Sequence, residues 1–178
     1  MTISNDASLR GKARSLAKEH GLSAQEVMQR YFFERFLMRL EGTHYRERFV
    51  IKGGLLLSSM MGVAQRTTMD LDATVRAMTL NEETVSAAMQ EICSVDLHDG
   101  IAFAFERVEP IREDDDYGGL RAHLVAEFGR MRTPLKVDVT TGDVITPREV
   151  AYEFPTLFGE KPIHLLSYPL ETCIAEKF

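Results

Sequence analysis

Three aspartates and a glycine pair carry the chemistry this sequence offers. Asp70 and Asp72 stand in a stretch where Met69, Leu71, Ala73 and Val75 alternate with Thr68, Asp70, Asp72 and Thr74. A period of two marks a strand, and it sends both carboxylates to one face. Aspartate is depleted in strands, and two like charges about 4 Å apart repel by about 4 kcal/mol at an effective dielectric near 20. A divalent cation between them removes that repulsion, and hard oxygen donors suit Mg²⁺. Asp138 repeats the pattern in Leu135-Lys136-Val137-Asp138-Val139, which makes it the candidate third ligand from a neighbouring strand. Upstream, Lys52-Gly53-Gly54 follows the apolar run Phe49-Val50-Ile51 and precedes the apolar stretch Leu55 to Met61. Glycines there bring bare backbone N–H groups to a helix N-terminus, where an anion such as a phosphate is favoured. Taken singly, each feature has a plainer reading, a turn or a solvated strand face. The conjunction points to a phosphate-cradling turn that feeds a metal-binding strand.

The elements that must position these residues follow from local patterning. Asp6 is the expected cap of a first helix through Leu9, Ala13, Leu16 and Ala17, ended by Gly21. Ser23 and Glu26 form a capping box for a longer helix with Val27, Met28, Tyr31, Phe32, Phe36 and Leu40 at helical spacing. Its arginines (Arg30, Arg35, Arg39), with Arg46 and Arg48, read as a solvated face. Phe49–Ile51 is a strand, and Thr79 and Glu82 give a second capping-box match before another helix. Strands follow at 101–105, 120–128 and 135–139, with turns through the acidic segment 113–119 and through 129–133; Asp143 is assigned to a turn. Prolines at 147, 155 and 162 break the next stretch into short pieces, and Pro169 opens a last helix. That helix begins an apolar face with Leu170, Ile174 and Phe178, and the sequence given ends there, in mid-element. The expected organisation is a helical lead-in over 1–48, a core over 49–168 and the start of a C-terminal helical region over 169–178.

The 178 residues are 44% hydrophobic and 27% charged, as in ordinary globular domains. A net charge of −6 argues against a broad basic surface for nucleic acid, though not against a local grip on one end of a strand. Cys93 and Cys173 form no Cys-x-x-Cys pair, the five histidines share no ligand spacing, and no stretch approaches a membrane span, so a cytoplasmic location is expected.

At Lys52-Gly53-Gly54, Arg66-x-Thr68-x-Asp70-Leu71-Asp72, Asp138 and Ala175-Glu176-Lys177 the chain resembles the AbiEii/AbiGii toxin family. This is a branch of the polymerase-β-like nucleotidyltransferases that includes the MenT toxins. The resemblance implies an α+β fold, a mixed sheet flanked by helices, with an N-terminal helical lead-in and a truncated C-terminal helical region. It implies transfer of a nucleoside monophosphate from NTP to an RNA, tRNA foremost, or a protein, by the toxin of a toxin–antitoxin or phage-defence pair with a cognate antitoxin. Asp70, Asp72 and Asp138 would hold two Mg²⁺ ions, Asp138 activating the attacking hydroxyl. Gly53 and Gly54 would hold the triphosphate, with Lys52 and Arg66 as phosphate or structural partners and Lys177 near the phosphates. The alternative is a truncated, non-catalytic module that keeps the fold and binds a nucleotide or partner.

Overall fold

The computed structural model describes residues 3–61, 70–111, 118–141 and 148–177. Its frame is one mixed seven-stranded sheet: β1 (Phe49–Lys52), β2 (Asp70–Val75), β3 (Ile101–Pro110), β4 (Leu120–Phe128), β5 (Met131–Thr140), β6 (Val150–Phe154) and β7 (Ile163–Ser167). The strand order is β3-β4-β5-β2-β1-β7-β6. β2 runs parallel to β5 and β1 parallel to β7, while every other neighbouring pair is antiparallel. Among the described residues five α-helices, α1 (Asp6–His20), α2 (Ala24–Glu41), α3 (Gly53–Met61), α4 (Glu82–Ser94) and α5 (Leu170–Lys177), and a 3-10 helix at His44–Glu47 accompany the sheet. The expected α+β sheet-and-helix architecture is therefore the one observed.

Alternation sets the layers. In β5, Met131, Thr133, Leu135, Val137 and Val139 are buried, whereas Arg132, Pro134 and Lys136 are exposed and Asp138 and Thr140 half-buried. In β2, Leu71, Ala73 and Val75 are buried, and Asp70 and Asp72 are half-buried. Helices α2 and α4 pack on strands of this sheet and on each other. One contiguous core joins Leu9, Phe36, Val50, Leu71, Ile92, Val137 and Cys173.

Local rules account for the ends of the helices, with two corrections. Asn5, not Asp6, caps α1: its side chain accepts from the Ser8 N–H at 2.8 Å. Asp6 instead accepts from the Arg130 N–H at 3.2 Å and tethers the first turn of α1 to the β4–β5 turn. The capping box before α4 is Asn81 with Thr84, not Thr79 with Glu82, because Asn81 has the extended backbone a cap needs. The Ser23–Glu26 box is present. The β4–β5 turn is also tighter than expected, just Gly129-Arg130, so β5 starts at Met131 rather than Leu135.

The arginine-rich face of α2 is not solvated. Arg30, Glu34, Arg35 and Arg39 are all buried, as are Tyr31, Phe32, Phe33 and Phe36, so α2 is enclosed on nearly every side. Arg39 is satisfied completely: Nε donates to Val95 O, Nη1 to Arg35 O and Asp99 Oδ2, and Nη2 to Asp99 Oδ1 and Ile101 O, all at 2.9–3.2 Å. Those are the five donors a guanidinium has. Arg35 pairs with Glu160 and lies 3.7 Å from Asp99. Glu34 accepts the Leu157 N–H with both oxygens at 3.1 Å. Burial pushes the Glu34 carboxyl up to about 8, against the pull of that N–H and of Arg30 and Arg35. The partners lie up to 125 residues away, so buried charge here ties distant loops to one helix.

Candidate functional site

The carboxylates converge because two parallel strands lie side by side. In the β2–β5 register Asp72 faces Asp138 and Asp70 faces Lys136. On the far side of β2, Lys52 of β1 faces Asp72, and on the far side of β5, Arg121 of β4 faces Asp138. One row, Arg121–Asp138–Asp72–Lys52, thus crosses four strands, and directly opposed residues in a sheet hold their Cβ atoms about 5 Å apart. Asp70, two residues before Asp72, shares the face.

Gly53 closes the row at the β1–α3 junction. Its φ of +76° is open to glycine at little cost, and a Cβ there would lie 2.3 Å from Asp72 Oδ2. The carboxylate of Asp72 therefore sits against the backbone of the turn that starts α3. Gly54 is buried in the first turn of α3, where backbone N–H groups have no partner within the helix. The arrangement can present N–H donors to an anion beside a set of carboxylates.

Arg121 is the cation in direct contact with Asp138. Its Nε lies 2.7 Å from Asp138 Oδ1 and its Nη2 lies 2.9 Å from Asp138 Oδ2, a two-point fork, with Asp70 Oδ2 at 3.9 Å from Nη2. These hydrogen bonds hold its protonation more firmly than in a free arginine. Asp138 is 14% exposed, Arg121 29% and Asp70 36%, so the cluster is open to solvent on one side. Beside it on the same face, His123 Nε2 lies 2.7 Å from Glu109 Oε1, and that contact draws the Glu109 carboxyl below its usual range.

Lys52 is held from the side. Its Nζ donates to Thr140 Oγ1 at 2.9 Å and lies 5.6 Å from the centre of the Tyr168 ring. Thr74 Oγ1 lies within 3.1 Å of both Thr140 Oγ1 and the Tyr168 hydroxyl, so a polar chain joins β1, β2, β5 and the residue after β7. Gln25, Gln29, Asp70, Pro134 and Lys136 line a hollow of about 220 Å³ beside the carboxylates.

Of the residues singled out in the sequence, Lys52, Gly53, Asp70, Asp72 and Asp138 come together here, with Gly54 beside them. Arg66 and Asp143 lie outside the described residues, and Lys177 closes α5 with its side chain outside them too. Arg121 was missed. With the two-residue turn Gly129-Arg130, counting back along the hairpin places Arg121 opposite Asp138; the longer turn expected over 129–133 loses that register. Among the described residues no three Asp, Glu, His or Cys side chains stand ready-gathered around a metal position. The donor set nonetheless fits a hard cation: three carboxylates share a face, and the Arg121 fork uses only two of the roughly four lone-pair positions on Asp138.

The fold is shared with solved structures. A "putative nucleotidyltransferase from H. pylori" superposes with a TM-score of 0.53 at 16% identity, over 88% of this chain and 59% of that one. JHP933 from Helicobacter pylori superposes with a TM-score of 0.52 at 17% identity, over 88% of this chain and 57% of that one. The chain thus spans less than two thirds of the length of either. No curated protein matches it. The model of the nucleotidyl transferase AbiEii toxin family, from type IV toxin–antitoxin systems, matches residues 35–178. The chain belongs to that family.

Proposed function

We propose that this chain carries the catalytic core of a metal-dependent nucleotidyltransferase, moving a nucleoside monophosphate from NTP to a hydroxyl of an RNA acceptor, tRNA foremost, as the toxin of a toxin–antitoxin pair. One observation carries the reading: Asp72 and Asp138 face each other on adjacent parallel strands, with Asp70 on the same face and the Asp72 carboxylate seated on the Gly53 turn. In this reading the N–H groups of Gly53 and Gly54 hold the triphosphate at the start of α3. Asp70 and Asp72 would hold the metal, and Asp138, oriented by Arg121, would take the proton from the acceptor hydroxyl as its oxygen bonds to the α-phosphorus and pyrophosphate leaves. Two Mg²⁺ ions bound there would stabilise the attacking and leaving oxygens of an in-line displacement. Lys52 acts from the side, through Thr140 and Tyr168, by keeping β1 and β5 in register around the row. Arg66 and Lys177 are proposed phosphate partners, and a cognate antitoxin and a role in phage defence belong to the same reading.

The test is to incubate the protein with each labelled NTP and total cellular RNA, with Mg²⁺ and with EDTA. Label entering RNA only with Mg²⁺ supports the reading; label entering protein moves the acceptor class. A second reading, a nucleotide- or partner-binding module without turnover, is favoured by the Arg121 fork on both oxygens of Asp138. NTP binding without transfer to any acceptor establishes it.

A further inference from the structure

Arg121 does more than orient one carboxylate. It stands at the end of the row Arg121–Asp138–Asp72–Lys52, beside which Asp70 faces Lys136 on the same face. The guanidinium forks onto Asp138, the proposed proton acceptor, and comes within 3.9 Å of Asp70, a proposed metal ligand. With Lys136 opposite Asp70, the three carboxylates are matched by three built-in positive charges, weak bait for a bare dication. A nucleoside triphosphate changes that balance. Its phosphates bring oxygen donors and negative charge of their own, and the N-terminus of α3 lies beside the row to receive them.

Resting on the nucleotidyltransferase reading above, we propose that Arg121 is the site's resident counter-cation. It keeps Asp70 and Asp138 together without metal, and it makes the site take a divalent ion with nucleoside triphosphate rather than alone. The fork allows this without dismantling the site, because Asp138 keeps lone-pair positions open while Arg121 holds it. Arg121 is a positioning residue here: it acts through the carboxylates and sets the order of uptake.

The probe is Mn²⁺ alone, titrated calorimetrically into the wild-type protein and into Arg121→Gln, then repeated with the α,β-imido analogues of ATP, GTP, CTP and UTP. Wild type is expected to bind Mn²⁺ at least about tenfold more tightly with one of the analogues than without, since the donors and charge arrive with the phosphates. Arg121→Gln is expected to bind Mn²⁺ alone at least about tenfold more tightly than wild type, through loss of a unit charge beside the dication. Adding Asp72→Asn to that variant should remove the gain. Arg121→Lys, which keeps the charge and loses the fork, should stay near the wild-type value. Tight Mn²⁺ binding by wild type without nucleotide overturns the proposal even if Arg121→Gln fails to fold. So does an Arg121→Gln affinity equal to or weaker than wild type, which would make Arg121 a simple orienting partner. If no protein binds Mn²⁺ even with the analogues, the nucleotidyltransferase reading itself falls, whereas nucleotide-dependent binding with no gain in Arg121→Gln removes this inference alone.

Discussion

Arg39 and Arg121 are both arginines forked onto an aspartate, and they do opposite things. Arg39 on α2 is 1% exposed, its partner Asp99 is 8% exposed, and its five N–H groups are all answered by protein oxygens. Arg121 on β4 is 29% exposed and commits its fork to Asp138 on a face open to solvent. The first pair is locked: removing either charge breaks a buried network that also takes in Arg35, 3.7 Å from Asp99. The second is poised, because water can solvate what is uncovered and Asp138 keeps acceptor capacity. The fold thus uses charge twice, once to fasten loops to a buried helix and once beside carboxylates on an open face of the sheet.

Breaking the locked pair should have the largest effect on the fold. Arg39→Met takes the two-point fork from buried Asp99, leaving Arg35 at 3.7 Å as its nearest cation, and removes the side-chain donor to the Val95, Arg35 and Ile101 carbonyls. A loss of about 3–5 kcal/mol is expected, the usual result of breaking one side of a buried pair. A drop of roughly 10 °C in melting temperature by calorimetry checks it; a drop under about 2 °C would place Arg39 among solvated arginines after all.

Glu34, beside that pair on α2, sharpens the contrast through pH. Its folded pKa of about 8 stands above the ordinary 4.5, so the folded state prefers the protonated form. The stability this gives is fully present below about pH 4.5 and is lost as pH rises towards 8. The slope contributed by one such group reaches at most about 1.4 kcal/mol per pH unit. Urea denaturation at pH 6 and pH 8 should find wild type weaker at pH 8, with Glu34→Gln flattening that dependence. Equal slopes in the two proteins would remove Glu34 from the account.

A smaller effect is expected at the turn. In Gly53→Ala the new methyl meets Asp72 Oδ2 at 2.3 Å, and alanine is strained at φ +76°. A cost of about 1–2 kcal/mol is expected, visible as a lower urea midpoint, together with weakened nucleotide binding. Unchanged binding would separate the turn from the site.

How much of this was legible in the sequence varied with the physics involved. The β1–α3–β2 unit was read because the alternation around Asp70 and Asp72 is uninterrupted and the glycines mark a junction, and both tests are local. The hairpin of β6 and β7 was not, because Pro155 and Pro162 lie between its strands and leave each of them too short to show a period. The arginines of α2 were read as solvated because charge on a helix normally means water; Asp99 and Glu160 lie 60 and 125 residues beyond their partners, and no local pattern announces them. Arg121 was missed for a narrower reason, the length of a single turn. Asp138 stands out in the sequence by type, parity and the family resemblance, and the parallel pairing of β2 with β5 that puts it opposite Asp72 is a fact of tertiary structure.

The central claim is that the row through Asp72 is catalytic and the charges around α2 are structural. Asp72→Asn tests it most directly, measured in one preparation for label transfer from NTP and for melting temperature. Transfer should fall by about three orders of magnitude, as when a residue acting in a catalytic unit is removed. The melting temperature should stay within about 2 °C of wild type, since losing one of several crowded anions relieves repulsion. Transfer undiminished in Asp72→Asn, or a variant that unfolds as Arg39→Met does, would contradict the account.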